Sequence, residues 1–140
     1  ASRLIKSPKL YLSDSGIAAY LTGVAARRRW NEEPLRGALL ETYVSQQLAG
    51  ILGAWWPQAQ LAFWHVQGRY EVDFVVEVNS RLLAIEVTGA GRWNDKTLLG
   101  LKAFLATTPR CHLAILAHAG HDTVRLGDRM WAVPLISLLS

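Results

Sequence analysis

Cysteine is nearly absent: Cys111 stands alone in 140 residues, so the chain forms no internal disulfide and offers no zinc site built on paired thiolates. That usage fits a reducing, cytoplasmic setting. No apolar run approaches the ~18 residues of a membrane span, and no basic-then-apolar leader opens the sequence. Strong charge of either sign is missing too, since 15 Lys and Arg against 11 Asp and Glu leave a net +4. A dedicated polyanion binder concentrates more cations on one face, so this balance permits nucleic acid as a partner without demanding it. The one tight basic cluster, Arg27, Arg28 and Arg29 before Trp30, is expected in a solvated loop after a helix end. No serine has the G-x-S-x-G context of a nucleophile elbow, which leaves serine hydrolase chemistry unsupported. Repeats and low-complexity linkers are also lacking, and with 51% apolar residues the chain has enough material for one core of its own. It begins without Met, in mid-pattern, and reads as a domain excised from a larger protein.

What is present alternates between helix and strand signals. Residues 10–12 (LYL) read as a short extended piece, and Ser13, Asp14 and Ser15 offer caps for a helix that Gly23 stops. A loop through Pro34 leads into a second helix, where Leu40, Val44, Leu48 and Ile51 form an apolar stripe and Gly53 and Pro57 mark the end. LAFWHV (61–66) is expected to be the first core strand, followed by EVDFVVEV (71–78) and RLLAIEVTG (81–89). Asn94 or Asp95 caps a third helix over KTLLGLKAFLAT, HLAILAHA (112–119) is a buried strand, and a hairpin turns at Gly127 and Asp128. The third strand must reach the fourth through a crossover helix, which makes that pair parallel and the sheet mixed. The order helix, strand, strand, strand, helix, strand then gives an α/β sandwich: a helical extension over 1–33, a core over 34–119, and a C-terminal hairpin and tail over 120–140.

Three acids carry the chemistry. Strict alternation groups Glu71, Asp73, Val75 and Glu77 on one strand face, and Leu82, Ala84, Glu86 and Thr88 on one face of the next. If Asn79 and Ser80 make a tight turn, Val78 pairs with Arg81 and counting back sets Asp73 opposite Glu86. Like charges so paired destabilise a sheet unless a cation neutralises them. Glu41 lies at the edge of the second helix's apolar stripe, partly desolvated, and needs a partner. Singly, each acid has an ordinary explanation: Glu41 as a rim residue, Asp73 paired with Arg69, Glu86 facing solvent. Together they point to a Mg²⁺ (or Mn²⁺) pocket, because Mg²⁺ takes hard oxygen ligands and often only one or two carboxylates.

Acid on a helix, Asp on one strand, then Glu-x-Lys on the next resembles the PD-(D/E)xK restriction-endonuclease-like superfamily. The matching residues are Glu41, Asp73 and Glu86-Val87-Thr88. More narrowly, the succession KSPKLYLSDSGIAAYLTG, GALLETYV, FWHVQGRYEVDFVVEV, LLAIEVTG and VPLISLL is similar to the domain of unknown function at the C-terminus of many prokaryotic AAA+ ATP-binding proteins. The resemblance implies a restriction-endonuclease-like sandwich, an N-terminal ATPase domain in the whole protein, and acids that hold Mg²⁺ while the lysine assists attack of water on a phosphodiester. Here Thr88 stands in the lysine position and supplies no positive charge to the transition state. Lys96 or Arg69 is the expected substitute if one exists.

Other features are set aside. GAGRWNDKT (89–97) imitates a phosphate-cradling loop, but Ala90 and Asp95 replace both required glycines, so no nucleotide site is expected in this fragment. His118 and His121 lack partner cysteines and read as a plain loop, and His65 as a hydrogen-bonded core or rim group. The six Trp are expected in core packing or against a missing domain rather than stacked on bases. Two functions follow: a nuclease-like module with weak or lost catalysis that binds nucleic acid, protein or a second copy of itself, or an active Mg²⁺-dependent nuclease using Glu41, Asp73 and Glu86.

Overall fold

The computed structural model describes residues 9–23, 33–66 and 68–140; the basic cluster at 27–29 and Trp30 lie outside them. The elements run α1 (Ser15–Leu21), α2 (Glu33–Trp55), β1 (Gln60–Val66), β2 (Tyr70–Val78), β3 (Arg81–Thr88), α3 (Leu99–Thr107), β4 (Cys111–His118), β5 (Val124–Arg125), β6 (Met130–Pro134) and α4 (Leu135–Leu138). One open mixed sheet collects the strands in the order β1-β2-β3-β4-β6-β5. β3, β4 and β6 are parallel, and the remaining neighbours antiparallel. The crossover through α3 is the expected one. The C-terminal hairpin is part of the sheet rather than an appendage, because β6 pairs with β4 from Ala114↔Met130 to His118↔Pro134.

Local chemistry explains most boundaries. Asp14 caps α1 with Oδ1 accepting the Ile17 N–H at 2.9 Å, and Gly23 at φ +71° follows its end. In α2, Leu40, Val44 and Leu48 face the sheet as the stripe predicts, and Leu52 continues the row. This helix passes through Gly53 and ends at Trp55. A single interior glycine costs only about 1 kcal/mol, which packing offsets, whereas Pro57 disfavours the helical conformation in the residue before it. α3 begins at Leu99, later than the sequence pattern implies, because Asn94 Oδ1 takes the Lys96 and Thr97 N–H groups into a turn first. β1 proves to be an edge strand, mostly exposed or half-buried, rather than a core strand.

Two apolar layers flank the sheet. On one side Phe74, Val76, Ile85 and Ile115 pack with Val44 and Leu48 of α2. On the other, Val72, Val75, Ala84 and Leu116 pack with Leu101 and Phe104 of α3. Strict alternation along β2 would not bury Val72 and Val75 on the same side. The pairing with β1 shows the cause: Ala62 faces Val75 but Trp64 faces Val72, so Asp73 and Phe74 together oppose Phe63. That is a β-bulge. It shifts Glu71 out of the row of Val75 and Glu77 in which alternation had put it. Gly100 of α3 meets the same stretch, where a Cβ would collide with the Glu71 carbonyl oxygen.

Candidate functional site

The turn between β2 and β3 is built as the pairing requires. Asn79 and Ser80 both adopt positive φ, 49° and 64°, as in a two-residue type I′ turn, and Val78 pairs with Arg81. The ladder continues to Phe74↔Ile85 and stops there, one step before Asp73 and Glu86. At that step the bulge replaces backbone pairing with side-chain contacts: Asp73 Oδ2 accepts the Val87 N–H at 2.9 Å, and the Asp73 N–H is directed at the Glu86 carboxyl.

Glu41 of α2 meets the same place through a residue absent from the expected set. Lys9 Nζ lies 3.5 Å from Glu41 Oε2 and 3.3 Å from Asp73 Oδ1, and forms an ion pair with Glu71. Tyr11 donates its hydroxyl to Glu41 Oε2 at 3.3 Å. A cleft of about 400 Å³ lies beside this cluster, lined by Lys9, Tyr11, Gly37, Glu41, Thr42 and Glu71 among others. Glu41 and Asp73 are thus brought together by an ammonium, and Glu86 joins them through Asp73. By alternation Glu86 shares the β3 row of Leu82 and Ala84, which faces α3, whereas Glu41 comes from α2 on the opposite layer.

The charges are out of balance. Burial, reinforced by the Glu41 charge, pushes the Asp73 carboxyl up to about 6. Burial and then the Asp73 charge push Glu86 up to about 9, against the opposing pull of the Asp73 N–H. Burial alone would lower Lys9, but its hydrogen bond to Glu71 and the charges of Asp73 and Glu41 hold it above the ordinary lysine range. Glu86 Oε2 is a buried oxygen without a hydrogen-bond partner among the described residues.

Hard carboxylate oxygens suit Mg²⁺, and an orphaned oxygen is what a missing ligand would leave behind. Against that, no three Asp, Glu, His or Cys side chains converge as a metal cage among the described residues, and an ammonium sits between Glu41 and Asp73. As placed, these residues do not fit a resident divalent ion. Thr88 is half-buried and uses Oγ1 to accept the Ala90 N–H at 3.2 Å. Lys96 and Arg69 are exposed and make no ion pair among the described residues.

Residues 36–138 match the family described as a domain of unknown function (DUF4143). The chain belongs to the DUF4143 family. An uncharacterized protein of Mycobacterium bovis and one of Mycobacterium tuberculosis are each 28% identical to this chain over 135 residues, which is 96% of this chain and 29% of theirs. The domain therefore spans less than a third of the length of the curated relatives it matches. No solved structure matches it.

Lys9, Glu71 and Tyr11 escaped the sequence reading. Glu71 has no signal in the sequence, because its face is set by the bulge. For Lys9 the signal is the KSPKLY segment, which contributed to the resemblance only as a string.

His118, at the end of β4, is 1% exposed, with Nδ1 accepting the Gly120 N–H and Nε2 donating to the Asp122 carbonyl, both at 3.0 Å. Trp93 packs on its ring at 4.8 Å. His121 and His65 are exposed. Trp64 packs edge-on against Phe104 at 5.2 Å, while Trp55 and Trp56 are exposed at the end of α2. No helix among the described residues is long and apolar enough to cross a membrane.

Proposed function

We propose that this domain is a nuclease-like module with lost catalysis, carried at the end of an AAA+ ATP-binding protein and acting by binding nucleic acid or protein. The observation that carries this reading is the Lys9 ammonium among Glu41, Glu71 and Asp73, where a catalytic PD-(D/E)xK site would put a metal ion. The neutral Thr88 hydroxyl, engaged with Ala90, supports it, because phosphodiester cleavage needs positive charge at the attacked phosphate. The larger size of the curated relatives leaves room for an ATPase domain.

The alternative is an active Mg²⁺-dependent nuclease. It is favoured by one observation, the Glu86 Oε2 beside Asp73 that has no hydrogen-bond partner among the described residues. Incubating the protein with Mg²⁺ or Mn²⁺ and plasmid, single-stranded DNA or RNA separates the two. The module reading expects no cleavage; cleavage that disappears in Asp73→Asn overturns it. Affinity for duplex DNA at two salt concentrations then distinguishes the partners, since phosphate contacts release counterions and weaken steeply with salt.

A further inference from the structure

We infer that Lys9 is a built-in counter-cation that straps residues 9–14 across the α2/β2 cleft and competes with divalent cations for the acids beneath it. Its Nζ gathers carboxylates from two elements, Glu41 of α2 and Glu71 and Asp73 of β2. The contact is sheltered, with the Lys9 side chain 21% exposed and that of Asp73 7%. The Phe63 ring, 5.7 Å from Nζ, adds a π face on another side.

The strap has further anchors on α2 and β2. Tyr11 bonds Glu41 and packs its ring 6.0 Å from Phe74. Gln46 donates to the Leu12 carbonyl at 3.4 Å and accepts the Ser15 N–H at 3.2 Å. An ammonium has three donors and no lone pair, so Lys9 satisfies carboxylates but cannot join a metal's ligand shell. A dication placed among the same oxygens would repel it at close range. The two occupants therefore exclude each other, and the strap decides which is present. This holds whichever macromolecule the module binds, because Mn²⁺ alone reads it out.

The test is calorimetric titration of the whole chain with MnCl2. Lys9→Met keeps most of the stem and removes the charge, and is expected to bind Mn²⁺ about ten-fold or more tightly than the unaltered protein. Adding Asp73→Asn should take that gain away. Equal or weaker binding by Lys9→Met, or a gain that survives Asp73→Asn, overturns the inference. If Lys9→Met fails to fold, hydrogen exchange on the unaltered protein decides. Amides of Tyr11 to Asp14 should exchange faster at millimolar MnCl2 while those of β4 do not change, and an unchanged strap overturns the inference.

Discussion

His118 and the Glu86 carboxyl, whose Oε2 is buried, lie on consecutive strands that are neighbours in the sheet, yet they are treated in opposite ways. Each ring nitrogen of His118 has a backbone partner, and Trp93 covers the ring. One oxygen of Glu86 has none among the described residues, and burial with the neighbouring Asp73 charge raises its proton affinity far above that of an ordinary glutamate. A fully satisfied buried group fastens a loop; an unsatisfied one is a local cost that the remainder of the fold must offset. The first pattern marks structure and the second marks a site.

Substitutions test the contrast directly. His118→Ala removes two hydrogen bonds and a packed ring, and should lower stability by about 3 kcal/mol in denaturant melts while leaving Mn²⁺ titrations unaltered. A loss below about 1 kcal/mol would mean the knot is not structural.

The acid pair should instead show in pH dependence. Asp73 at about 6 and Glu86 at about 9 both lie above their ordinary values of 3.8 and 4.5, so the folded chain retains protons that the unfolded chain releases. Stability is therefore fullest on the acid side of this window and falls by several kcal/mol as pH rises from about 4 to about 9. Melts at pH 5 and pH 9 should show this loss, and Glu86→Gln should remove most of it. A variant as pH-sensitive as the original protein would show that Glu86 is not the group responsible.

Gly120→Ala would put a Cβ 2.8 Å from His118 Nδ1 and 3.0 Å from the Gly91 carbonyl oxygen. It should cost about 1 to 2 kcal/mol by overpacking, and an unchanged melting midpoint would show that the loop yields. At the far end of the scale is Lys102, whose pair with Asp95 is exposed, the latter side chain being 93% open to solvent. Lys102→Ala should change stability by less than about 0.5 kcal/mol, which sets the baseline for an ion pair that water already screens.

Much of the scaffold could be read in advance because its rules are local. A two-residue turn at Asn79 and Ser80 sets the β2/β3 register, Asp14 caps α1, and a parallel β3/β4 pair requires the α3 crossover. Features without a periodic signature stayed hidden. Counting by twos along β2 fails at one inserted residue, so the bulge at Asp73 and Phe74, and with it the face of Glu71, could not be seen. The edge position of β1 depends on strand order, which its apolar run does not encode. The acids of the site were legible as residue types in apolar settings. Their cation was not, since Lys9 precedes Asp73 by 64 residues and no spacing rule links them.

A double-mutant cycle between Lys9→Met and Asp73→Asn, read by denaturant melts at neutral pH, most directly tests whether an ammonium holds the acids together. The two changes should couple by about 1 kcal/mol or more, because the second removes nothing once the first has abolished their contact. Losses that simply add would contradict an ion pair at this place and leave the cluster without its centre.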